Sequence, residues 1–108
     1  MAKKRQLVLI KLADPDDRLS ATVPLGTRAE FLDALSRFNT APDGTEFTSG
    51  TLALHGPGFV VEIATAITEI KQALVTCHDE EIAWHVLRAI CKDTGWKMQD
   101  METGHMFG

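Results

Sequence analysis

Tyrosine is missing from this chain, and five phenylalanines and two tryptophans are its only aromatic residues. Positive charge is also scarce: 15 acidic residues stand against 11 basic ones, a net charge of −4. Three of the basic residues, Lys3, Lys4 and Arg5, crowd the N-terminus, so the body of the chain is more acidic still. Duplex binding wants a basic surface, and single-strand binding wants exposed rings over a basic groove. The chain has little of either, which makes nucleic acid an unfavourable partner.

Long apolar runs are absent as well. Leu7 to Ile10 is interrupted by Lys11, too short for the core of a signal peptide even after Met-Ala-Lys-Lys-Arg. Nothing approaches the ~20 apolar residues of a membrane span. Cysteine is limited to Cys77 and Cys91, with no CxxC and no HxxxH pair, so neither a disulfide framework nor a zinc site has its usual spacing. The expectation is a pair of reduced thiols in a cytoplasmic protein. Phosphate-binding and nucleophile motifs are missing too. Gly56-Pro57-Gly58 lacks the G-x-G-x-x-G and Walker spacings, and Ser20, Ser36 and Ser49 lack a G-x-S-x-G context. Asp14, Asp16 and Asp17 lack the glycine and distal glutamate of a calcium loop and read as a turn around Pro15. No cofactor and no metal is expected.

What is present is a capped amphipathic helix in each half, framed by short strands. A chain of 108 residues is near the usual size of one domain and buries a core without staples. Gln6 to Leu12 is a near-continuous apolar run, the pattern of a strand covered on both faces, and Arg18 to Val23 returns as its hairpin partner. Thr27-Arg28-Ala29-Glu30 fits a capping box. Phe31, Leu32, Ala34, Leu35 and Phe38 then share one stripe, opposite Glu30, Asp33 and Arg37, and the helix runs to about Asn39. Asp33 and Arg37 are spaced as an i,i+4 pair.

Thr51 to His55 and Phe59 to Ile63 predict a hairpin with a three-residue loop, Gly56-Pro57-Gly58. Residues 64–72 are ambiguous between helix and strand, and a strand follows from about Gln72 to Cys77. The second helix is predicted from Glu80 to Thr94 with Asp79 as N-cap, an apolar stripe of Ile82, Ala83, Val86, Leu87 and Ile90, and Gly95 as left-handed stop. Trp96 to Met101 forms a last strand. The fold class is α+β: a single domain, residues 1–108, with two helices packed on one face of an antiparallel or mixed sheet in the approximate order ββαβ-ββαβ. Residues 1–5 are expected to be a disordered basic N-terminus and residues 102–108 a short C-terminal tail.

The densest functional residue types run from Cys77 through His78, Asp79, Glu80 and Glu81 to His85 and Arg88. Cys77 precedes a helix N-terminus, where thiol pKa values fall, but three carboxylates share that pole and His78 points to the opposite side of a strand. His85 and Cys91 lie about 120° apart around the helix and share no face. No catalytic residue is therefore assigned. Glu81, His85, Arg88 and Lys92 form a polar stripe whose charge follows His85, and Met101, Met106 and Phe107 supply soft apolar side chains suited to an adaptable partner surface. The candidate ligand or partner surface is His78, Glu81, His85, Arg88, Met101, Met106 and Phe107. The functional expectation is a non-catalytic interaction or regulatory module that self-associates as a dimer or meets a protein partner, for instance through a sheet edge across a two-fold axis. The alternative is a small-ligand binder or small enzyme using Cys77 to Arg88, with His78 or His85 as acid–base group.

Overall fold

Alternation of apolar residues builds the sheet. In the computed structural model, which describes residues 5–14, 16–17, 19–40, 51–64 and 68–107, the elements are β1 (Arg5–Leu12), β2 (Thr22–Val23), β3 (Gly26–Thr27), α1 (Arg28–Ser36), β4 (Thr51–Gly56), β5 (Phe59–Ala64), β6 (Glu69–Ile70), β7 (Ala73–Cys77), α2 (Glu80–Thr94), β8 (Lys97–Asp100) and β9 (Met106–Phe107). The α+β class stands. The two-residue strands β3, β6 and β9 make the order longer than ββαβ-ββαβ. Among the described residues seven strands form one sheet in the order β4-β5-β7-β1-β8-β9, with β2 on the far end of β1, while β3 and β6 pair separately. Every pairing among the described residues is antiparallel.

Leu7 and Leu9 of β1, Val75 and Cys77 of β7, Val61 of β5, Leu54 of β4 and Met98 of β8 point to one side of this sheet. There they join Phe31, Ala34 and Leu35 of α1 and Ala83, Leu87, Ile90 and Cys91 of α2 in one buried cluster. Phe31 stacks on Trp96 at 5.3 Å between ring centroids, which ties α1 to the chain entering β8. The other side of the sheet differs from the expectation of a strand covered twice. Ile10 and Leu12 are buried, but Val8 is half-buried and Gln6 exposed, because both helices lie on the Leu7 side.

Local chemistry explains the element ends. The Thr27 hydroxyl accepts from the Glu30 amide at 3.2 Å and the Glu30 carboxylate accepts from the Thr27 amide at 2.9 Å, the reciprocal pattern of a capping box. The Thr27 amide, then the Thr27 hydroxyl, bonded to the Glu30 carboxylate hold it below its ordinary range. α1 ends at Ser36, earlier than the stripe suggests, with Asn39 at φ 56 turning the chain. Arg37 pairs with Asp93 of α2 at 3.2 Å, not with Asp33 one turn back. In the β4–β5 hairpin Gly56 still pairs with Phe59, so the loop is two residues, Pro57 and Gly58, and not three. Gly58 has φ 78, as the third position of a type II turn requires. Its carbonyl accepts from the amides of His78 and Asp79 at 2.7 and 3.0 Å, docking the hairpin tip on the start of α2.

In α2 the Asp79 carboxylate caps the Ile82 amide at 3.3 Å and Gly95, at φ 79, ends the helix. The buried stripe is Ala83, Leu87, Ile90 and Cys91. It is rotated from the predicted one: Ile82 is 51% exposed and Val86 half-buried. Within residues 64–72, Glu69–Ile70 is strand, and 65–67 lie outside the described residues. Arg5, counted with the disordered N-terminus, is the first residue of β1; residues 1–4 lie outside the described residues. Met106–Phe107, counted as tail, pairs with β8. Among the described residues no helix is long and apolar enough to cross a membrane.

Candidate functional site

Arg5 organises a polar constellation that joins β1, α2 and the end of β8. It enters β1 on the same side as Leu7, at the end of the sheet below the first turns of α2. Its Nε donates to Asp100 Oδ2 at 2.9 Å and its Nη1 to Glu80 Oε1 at 3.0 Å. The guanidinium carbon lies 5.2 Å from the ring centroids of both Trp84 and Phe107, within cation–π range. Those two rings meet edge to face at 4.8 Å, and the His105 ring lies 4.6 Å from Phe107.

Asp100 closes the arrangement from below. Its Oδ1 accepts from the amides of Thr103 and Glu102 at 3.0 and 2.8 Å, while Oδ2 holds Arg5. These two amides, with the Arg5 guanidinium, keep the carboxyl below its ordinary range. Burial works to lower the Arg5 pKa, but its bonds to Glu80 and Asp100 outweigh that and raise it. Arg5 therefore stays charged, and its charge is already answered by two carboxylates.

Beside this cluster an open groove of about 430 Å³ is lined by Arg5, Glu80, Glu81, Trp84 and His85. At 100° per residue Glu80 and Trp84 sit on the edge of the buried stripe of α2, with Glu81 and His85 beyond them toward solvent. The groove thus offers an indole edge rimmed by carboxylates and one imidazole. That chemistry suits contact with a polar or cationic group. It does not assemble a nucleophile with a base.

The residues expected from sequence are divided by the structure. Glu81 and His85 line the groove, and Phe107 backs it through Arg5 and Trp84. His78 is exposed beside the hairpin tip, and Arg88 is exposed a turn beyond His85. Met101 is 57% exposed in the β8–β9 turn. Met106 pairs with Gln99 on the opposite side of the sheet from Phe107. Arg5 and Asp100 escape the sequence reading, while Glu80 and Trp84 lie within its Cys77–Arg88 segment but are not named among its candidate surface residues. Arg5 is adjacent to Lys3 and Lys4 and resembles part of a basic tail, while Asp100 is 95 residues away from it.

Both thiols have environments unlike those of nucleophiles. Burial, then the charge of Glu80, pushes the Cys77 thiol up. Burial pushes Cys91 up to about 12. Among the described residues, no three His, Cys, Asp or Glu side chains are placed to hold a metal ion. No protein-family model matches the chain, and comparison with curated proteins and with solved structures likewise returns no match.

Proposed function

We propose that this chain is a non-catalytic interaction module that self-associates through the side of its sheet facing away from the helices. The observation that carries the reading is the composition of that side. Val8 and Leu74 pair at the centre of that side, with Val60 and Met106 nearer its edges, all half-buried on an antiparallel sheet whose opposite side is packed by α1 and α2. An apolar centre with the polar side chains Glu62 and Gln99 on either side is the core-and-rim arrangement of an interaction site. Buried thiols and an arginine neutralised by two carboxylates also fit a structural role better than a catalytic one. The reading includes the reducing, cytoplasmic setting expected from the two cysteines, both free and buried.

Sedimentation velocity over a concentration series tests it. A sedimentation coefficient that rises with concentration toward that of a dimer is the expected result. A coefficient of a monomer at every concentration up to about 100 times a micromolar dissociation constant refutes self-association.

The groove supports a second reading, in which a small ligand binds against Trp84 between Glu81 and His85. A thermal-shift screen against metabolites checks it. A ligand at 100 times its dissociation constant adds about 2.7 kcal/mol, and a genuine groove ligand loses that shift in the His85→Ala and Glu81→Gln variants.

A further inference from the structure

Strand register lays out the open side of the sheet in rows. One row reads Ala53, Glu62, Leu74, Val8, Gln99, Met106 from β4 across to β9. Lys97 stands two residues from Gln99 on β8, in the row of Ile10. The apolar pair Leu74 and Val8 occupies the middle of the row. An acid lies one strand to one side of them, on β5, and a base one strand to the other side, on β8.

That placement is self-complementary under one kind of two-fold rotation. An axis parallel to the strands, running between β7 and β1, lays β7 over β1 of a second copy and β5 over its β8. Leu74 then packs on Val8 of the second copy, and Glu62 faces Gln99 and Lys97 there. Residues two apart along a strand are separated by about 7 Å, a distance the long lysine stem spans. Two sheets stacked at about 10 Å with aligned strands form an ordinary β-sandwich. A two-fold axis perpendicular to the strands in that row instead stacks β5 on β5 and sets Glu62 against Glu62. Like charges in that position oppose association.

From this charge placement we propose that the open side is a homodimer interface, with Leu74 and Val8 of two copies at its centre and a Glu62–Lys97 contact on each side of the axis. The proposal rests on the self-association through this side proposed above and adds which rotation and which contacts produce it.

Charge reversal tests it by sedimentation equilibrium, with circular dichroism and melting confirming that each variant folds. Glu62→Lys and Lys97→Glu each turn two attractions into two repulsions and are expected to weaken dimerisation at least about tenfold. The double variant Glu62→Lys/Lys97→Glu is expected to regain the native dissociation constant, and that rescue stands even if one single variant folds poorly. Leu74→Glu is expected to give a monomer. Dimers of unchanged affinity in both reversals and in Leu74→Glu overturn the interface, and with it the side of the sheet named above, while leaving self-association itself intact. Loss of the dimer only in Ala53→Pro, which blocks the β4 edge, does the same and moves the contact to that edge. A native chain that is monomeric throughout overturns both.

Discussion

Asp100 shows how much one side chain carries. It is nearly buried, at 6% exposure, yet remains a carboxylate because two turn amides and Arg5 satisfy it. Its pKa in the folded chain is depressed below the value near 3.9 of an unfolded aspartate, so its ionised form stabilises the fold at every pH above that value. The contribution fades as pH falls from there through the folded pKa. Asp100→Asn is therefore expected to melt lower than the native chain at pH 7, with the gap closing below about pH 3.9. Equal gaps at pH 7 and pH 3 in thermal melts refute this account. Gly58 is the second informative residue. Its φ of 78 disfavours any side chain, and a Cβ there lies 2.7 Å from the Asp79 carbonyl oxygen. Gly58→Ala is expected to cost more than about 1 kcal/mol in urea unfolding, since backbone on both sides of the contact must move.

At the scale of elements, both helix starts and the Gly95 stop of α2 were legible in the sequence because capping is local chemistry, while the end of α1 fell short of its apolar stripe. Thr27 and Glu30 are three residues apart and meet wherever the helix goes. Thr27→Ala is expected to cost about 1 kcal/mol by the same unfolding measurement. The orientation of α2 was less legible. Ile82 and Val86 flank the stripe on one side and Cys91 on the other, and hydropathy favours the Ile82 side. Packing rotates the helix the other way, so that Cys91 is buried and Trp84 reaches Arg5 and Phe107. Ile82→Lys is accordingly expected to change stability by no more than about 0.5 kcal/mol, while Leu87→Ala costs about 2–5 kcal/mol. Similar losses in both variants contradict the observed rotation.

Across the whole molecule, the two halves of the chain are not separate layers. β1, from the first half, lies between β7 and β8 of the second. The midpoint near Gly56-Pro57-Gly58 falls in a tight hairpin, not at a boundary. Trp96 joins the layers by stacking on Phe31 of α1 while it leads into β8. Trp96→Ala is expected to cost about 3–5 kcal/mol and to lower one cooperative transition seen equally by fluorescence-independent probes such as far-UV dichroism and hydrogen exchange. Two separated transitions contradict a single shared core.

The sequence by itself determined the α+β class, both helix caps, the turn at Pro57 and the apolar strands. Each of these depends on residues a few positions apart, whose side chains and backbone interact before any long-range contact forms. Tertiary structure alone decided which strands pair, how α2 is rotated, and that Arg5 and Asp100 meet from opposite ends of the chain. It also decided that β1 is covered on one side and half-open on the other at Val8. Alternation records which residues share a side of a strand, but only the positions of both helices settle which side is buried.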